Sequence, residues 1–221
     1  MAEGWVDEYS GKTIKAGDMA YKLINHRIKH SPRVGMRAPE FRLYSIQRKE
    51  FVTLESLRRE KDVVLLFSSW TCNVFMESAL GLSSLASEFK DSANFVFVYI
   101  REAHPGNGGF GEILDPRSDE ERIQAAQRFK NQVRLPFEIL VDPHKDPMAT
   151  RWAAWPVRVY VVDTNGIVIY SGAQGPWSYR PYEGFLHGDG SWDDIDQGFN
   201  EDTLESFLRS RFCREISTGA Q

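Results

Sequence analysis

Two uninterrupted apolar runs, Val63–Phe67 and Phe95–Ile100, constrain this chain more than anything else in it. A strand buried on one face alternates apolar with polar residues. A run that is apolar throughout suits an interior strand covered on both faces. Between the two runs, Phe75, Ala79, Leu82, Ala86 and Phe89, flanked by Met76 and Leu80, recur at helical spacing over 73–89. Strand, helix, strand in that order is a βαβ unit with parallel strands. At 221 residues the chain suits one elaborated domain built around that unit.

The flanks extend it. Residues 38–43 alternate into a strand, 47–50 make a polar turn, and 51–54 return as the second strand of a hairpin. Ser118, with Glu121 at capping-box spacing, opens a helix over 119–131. Glu138–Val141 reads as a strand. Residues 157–162 and 167–170 form a hairpin around Asp163-Thr164-Asn165-Gly166, where Asn-Gly provides positive φ. A last helix over 202–212 turns Leu204, Phe207 and Leu208 inward, and one over 15–30 sets Met19, Leu23, Ile24 and Ile28 on one face. The expected class is α/β, a thioredoxin-like fold of the peroxiredoxin kind. Its mixed central sheet is flanked by helices and carries an N-terminal helix and hairpin extension. The expected division is an extension over 1–34, a thioredoxin-like domain over 35–214 and a tail over 215–221.

A formal net charge of −4 gives no electrostatic ground for a nucleic-acid partner. No run approaches the ~18 apolar residues of a membrane-spanning helix, and the first eight residues lack the basic start and apolar core of a signal peptide. Two cysteines make no disulfide scaffold, so a soluble protein in the reducing cytoplasm is expected.

Cys72 lies just past the first apolar run, where the following helix starts. Strand ends in open α/β sheets are where ligands bind, and a helix N-terminus favours the reactive thiolate. The competing reading is a small buried hydrophobe. Position 69 is Ser and position 75 is Phe, so there is no Cys-x-x-Cys and a dithiol mechanism is disfavoured. Cys213, at the end of the last helix, is read as a tail cysteine or as a resolving partner for Cys72. Alternation on a strand sends Glu102 and His104 to one face and Arg101 to the other. Arg158 alternates with Val157, Val159 and Val161, and Pro156 precedes that strand where thioredoxin folds carry a cis-proline. His26, His30 and His187 make no metal-ligand spacing, so no metal is expected, and His144 reads as a loop residue. Gly106, Gly108, Gly109 and Gly111 form no phosphate fingerprint and suit a lid. Trp177, Tyr179, Tyr182 and Trp192 in the late loop leave two readings open, stacking on an aromatic substrate or covering a homodimer interface.

The segment Phe67-Ser68-Ser69-Trp70-Thr71-Cys72-Asn73-Val74-Phe75 resembles the active-site segment of the iodothyronine deiodinases, Phe-Gly-Ser-Cys-Thr-selenocysteine-Pro-Pro-Phe. Tyr99-Ile100-Arg101-Glu102-Ala103-His104-Pro105 resembles that family's Tyr-Ile-Glu-Glu-Ala-His-Pro. Arg117-Ser118 through Arg122, Arg158-Val159-Tyr160-Val161 and Gly172-Ala173-Gln174-Gly175-Pro176 also resemble family segments, so the likeness runs from about 63 to 176. It implies that Cys72, in the place of selenocysteine, attacks iodine on an iodinated phenol ring. Glu102 and His104 would assist proton transfer to the ring carbon, and Thr71 would assist the thiolate through its hydroxyl. Arg158 would help hold the substrate's charged end, with Pro156 beside the site. No bound cofactor is implied, only an external thiol reductant. The chain departs from the pattern with Asn73-Val74 for Pro-Pro, Trp70 for a cysteine and Pro116 for a second histidine. No counterpart of the family's N-terminal membrane anchor is expected.

Two rivals stand beside this expectation. A thiol peroxidase would take a peroxide substrate, but Leu65 and Ser69 occupy the Pro and Thr places of the peroxiredoxin pattern, and Trp192-Asp193-Asp194 is not the Trp-Asn-Phe of glutathione peroxidases. A redoxin-fold binding protein with an incidental thiol is the other.

Overall fold

The computed structural model describes residues 4–6, 13–15, 26, 29–106, 112–173, 175, 179–185 and 202–213. Strands β1 (Gly4–Val6) and β2 (Thr13–Lys15) pair antiparallel in a small sheet of their own, which nothing in three-residue segments signals beforehand. The main sheet holds β3 (Arg42–Ser45), β4 (Phe51–Thr53), β5 (Asp62–Ser68), β6 (Ala93–Tyr99), β7 (Glu138–Val141), β8 (Arg158–Val162) and β9 (Val168–Ser171). Its order is β4-β3-β7-β6-β5-β8-β9. The helices are α1 (Leu54–Leu57), α2 (Asn73–Glu88), α3 (Asp119–Val133), α4 (Pro147–Arg151) and α5 (Leu204–Phe212).

The two apolar runs are β5 and β6, parallel in register from Asp62↔Ala93 to Ser68↔Tyr99, with β8 antiparallel on the other side of β5. All seven residues of β5 are buried, which is why it shows no alternation. One core, with Val64, Leu66, Phe97, Tyr99, Val157 and Val159, lies with the inward faces of α2 and α3. The second, with Leu65, Phe67, Val98 and Tyr160, packs around Trp152 on the opposite face. Each such buried side chain is worth about 1.5–3 kcal/mol of transfer free energy, so this double layer dominates the driving force. Parallel β7, β6 and β5, flanked by antiparallel β8 and β9 on one side and β3 and β4 on the other, with helices on both faces make this a thioredoxin-like α/β fold.

Local chemistry explains the boundaries. The first strand of the expected hairpin starts at Arg42 rather than Ala38, because Pro39 has no N–H to pair and the Ala38 N–H goes to Gly166 O at 2.9 Å. The same segment covers the edge of β9 through Gly35 N–H to Val168 O and Val168 N–H to Met36 O. Ser118 caps α3, accepting the Glu121 N–H at 3.2 Å, but Glu121 closes on the Arg117 N–H rather than on that of Ser118. In the β8–β9 turn only Gly166 takes a positive φ, 81°, while Asp163 accepts the N–H groups of Asn165 and Ile167.

Past β7, the buried carboxylate of Asp142 accepts N–H bonds from Met148 and Ala149 at 3.1 and 2.8 Å. Burial pushes its carboxyl up to about 7 in spite of those bonds. Arg122, wholly buried on α3, clamps the same turn by donating to the carbonyls of Pro143 and His144 and to Asp146 Oδ1 at 2.5 Å. His26, Lys29 and His30 belong to the described residues; Met19, Leu23, Ile24 and Ile28 of the expected amphipathic helix lie outside them, as do Gly108, Gly109, Gly111, Trp177, His187, Trp192 and the tail.

Candidate functional site

Cys72 is the N-cap of α2, four residues beyond the end of β5. Its N–H bonds Ser69 O at 3.3 Å and its carbonyl accepts the Met76 N–H at 3.0 Å, so the backbone here is fixed by the helix start. The thiol is 2% exposed. The N–H groups of Val74 and Phe75, which have no intrahelical acceptor, and the Ser68 hydroxyl all face Sγ, yet no capping bond closes on the neutral sulfur. Burial pushes the thiol up, and the nearby charge of Glu102 adds to that; the three donors pull it down by less. The helix N-terminus therefore does not produce the acidic thiol expected from its position. Desolvation outweighs it.

Glu102 is the centre of the second strand-end loop and is 2% exposed. Its Oε2 accepts the Thr71 N–H at 2.9 Å and the Thr71 hydroxyl at 2.6 Å, and its Oε1 accepts a short bond from the Tyr99 hydroxyl. Burial, then the Glu102 charge, holds the Tyr99 phenol well above its ordinary range, so it stays a donor. Thr71 Oγ1 accepts the His104 N–H at 3.0 Å, and Ser69 Oγ accepts the Ala103 N–H at 3.1 Å. The loops that follow β5 and β6 are thus stitched together one residue away from Cys72.

This geometry corrects two expectations. β6 ends at Tyr99, so Glu102 and His104 share no strand face: the carboxylate turns inward while the His104 residue is exposed and is tied by its backbone. Thr71 spends its hydroxyl proton on Glu102, not on the sulfur.

Arg158 is not brought to the thiol. It pairs with Phe67 and lies on the Tyr160 face of β8, opposite to Val157 and Val159, which share a core with Cys72. Fully buried, it donates to Gly172 O at 2.8 Å, to Ala153 O at 3.2 Å and to Ser31 and Ser171, and it lies over the Tyr160 ring. Burial pulls its guanidinium down to about 10, still protonated at neutral pH. Its bonds brace β8 against the segments around it. Arg101 is exposed and lies over the Trp155 ring at 4.5 Å. The Trp155–Pro156 bond is cis, and Val157 follows it into the Cys72 core.

Among the late-loop aromatics, Tyr179 reaches the core that holds Cys72. It is buried there, and burial keeps its phenol protonated. A Cβ on Gly175 would come within 2.3 Å of Val157 Cγ1, so only glycine lets this segment run so close. Glycine followed by aromatics was the available signal.

Cys213 stands at the other end of the molecule. Arg209 bonds Glu88 at 2.5 Å and Phe212 packs on Phe89, so α5 docks on the C-terminal end of α2. The 16 residues of α2 separate that end from Cys72 by about 24 Å, against the ~7 Å limit between Cα atoms for a disulfide. Cys213 cannot resolve Cys72 within one folded chain. A cleft of about 260 Å³ by Arg101, Lys145 and Trp155, and one of about 530 Å³ by Lys90, Asn94 and Glu138, do not include the thiol either. Among the described residues no helix is long and apolar enough to cross a membrane, and no three His, Cys, Asp or Glu converge on a metal position.

Solved structures share the fold. An uncharacterized conserved protein from Geobacillus kaustophilus is 18% identical, with a TM-score of 0.53 over 77% of this chain and 86% of that one. A hypothetical protein from Sinorhizobium meliloti 1021 is 17% identical, with a TM-score of 0.52 over 79% and 90%. By sequence, the chain is 28% identical over 161 residues to the type I iodothyronine deiodinase of Xenopus laevis, covering 71% of this chain and 63% of that protein. It is 29% identical over 156 residues to the thyroxine 5-deiodinase of Sparus aurata, covering 68% and 58%. The chain thus spans about three-fifths of the length of these relatives. The iodothyronine deiodinase profile matches residues 6–185, which takes in the Cys72 turn, the Glu102 loop and Tyr179, and the chain belongs to that family.

Proposed function

We propose that the chain is a thiol-dependent oxidoreductase that removes iodide reductively from iodinated aromatic compounds of the iodothyronine or iodotyrosine kind. The observation that carries this reading is the buried Glu102 carboxylate, bonded to Tyr99 and Thr71 at the strand end beside a lone thiol. Family membership supports the same substrate class.

The Cys72 thiolate attacks iodine along the carbon–iodine bond. A sulfur–iodine bond forms, the carbon–iodine bond breaks, and the electron pair stays on the ring carbon. A proton then closes that carbon, delivered by the exposed His104, with Glu102 holding the Thr71–His104 contact in place. One external thiol displaces iodide from sulfur as a mixed disulfide, and a second releases Cys72. Two thiols and one aryl iodide thus give a disulfide, the deiodinated ring, iodide and a proton. Pro156 lies beside the substrate seat. No bound cofactor is required, and Arg158 takes no part.

Incubating purified protein with an iodothyronine and excess dithiol tests this. Iodide release is expected to vanish in Cys72→Ser and to fall by about 10²-fold or more in His104→Ala. Peroxide consumption that depends on Cys72, without iodide release, would replace this reading with a thiol peroxidase. Turnover of neither substrate by a folded protein would replace it with a binding role.

A further inference from the structure

Ser68, the last residue of β5, carries a hydroxyl that the scheme above does not employ. Its carbonyl accepts the Ile100 N–H at 2.9 Å, as the sheet requires. Its side chain follows Val64 and Leu66 onto the face that also holds Cys72, by strand alternation. The residue is fully buried, and Oγ has no hydrogen-bond partner among the described residues. A buried hydroxyl without a partner is unfavourable, so its burial here points to a partner that is present only part of the time. The sulfur of Cys72 is the atom it faces. A neutral thiol is a poor acceptor, whereas a thiolate is a strong one. In the family segment quoted above this place is glycine, and the nucleophile is selenocysteine. Here both positions differ together, a hydroxyl appearing where the attacking atom has become the less acidic sulfur.

We propose that Ser68 is a positioning residue for the Cys72 thiolate, donating its hydroxyl to sulfur once the thiol ionises and so aiding the Val74 and Phe75 N–H groups. The proposal rests on the reading of Cys72 as the nucleophile.

The test is the pH profile of Cys72 alkylation by iodoacetamide, in a Cys213→Ser background so that one thiol reports. Ser68→Ala and Ser68→Gly are compared with the parent, with thermal unfolding confirming the fold. Loss of the donor is expected to move the midpoint up by about one unit, a roughly tenfold lower rate well below both midpoints, with an unchanged plateau at high pH. A looser site would change the rate by the same factor at every pH. A midpoint within about 0.2 unit of the parent in both folded variants overturns the proposal. Iodide release by the parent is scored separately: its absence removes the dehalogenase reading, while the midpoint shift still decides the role of Ser68.

Discussion

Glu102 and Arg158 are both buried charges, both fall in segments that resemble the family, and both take several hydrogen bonds, yet they do opposite things. Glu102 collects its donors from Thr71, next to Cys72, and from Tyr99 at the end of β6. Arg158 spends its donors on Gly172 O, Ala153 O and the hydroxyls of Ser31 and Ser171, groups that end strands and connect segments. The side of the sheet decides. One charge is shared between the loops beside Cys72; the other holds the second core together. Burial and motif membership alone do not separate a functional charge from a bracing one; the identity of the partners does.

Four measurements would sharpen or break that contrast. Arg158→Met should cost about 3–5 kcal/mol in urea unfolding, because carbonyls and hydroxyls lose a buried donor, with the turnover rate per folded molecule within about threefold of the parent. A stable but inactive Arg158→Met would put Arg158 back in the site. Asp142 offers a third buried charge, whose folded-state affinity for its proton is raised from 3.8 to about 7. Its contribution to stability is full below pH ~4 and is lost as pH rises through ~7, so the parent should lose about 2–4 kcal/mol across that window relative to Asp142→Asn. A flat difference would mean that Met148 and Ala149 offset the burial. Glu102→Gln should lower iodide release by about 10²-fold, roughly 2.7 kcal/mol of barrier, with a smaller loss of stability than Arg158→Met. Ser118→Ala, bonded to neither charge, should cost about 1 kcal/mol with no change in rate, setting the baseline for a purely local bond.

The central elements were legible in the sequence because their burial is so complete. β5 and β6 read as interior strands since neither face meets water, and α3 was readable from Ser118, whose cap forms as expected. The same completeness hid the role of Arg158, since alternation along β8 suggests a solvent face where this sheet has a second core. What depends on which atom donates to which was not readable. Thr71 has one hydroxyl proton, and only the approach of the Glu102 loop determines that it goes to a carboxylate instead of to sulfur. The state of the thiol was equally hidden, since helix start and burial act in opposite directions and their balance is three-dimensional. The β1–β2 pair is too short to carry a pattern at all.

The length of α2 carries a kinetic consequence. With the other cysteine docked at its far end, an oxidised Cys72 has no sulfur of its own chain to hand the oxidation to. Under the proposed chemistry each turnover parks the protein in a spent state that only a collision with an outside thiol can clear. Its steady output would then follow the reducing capacity of its surroundings, giving parallel lines in double-reciprocal plots at different thiol concentrations. A sixteen-residue helix would make the enzyme a gauge of its thiol supply.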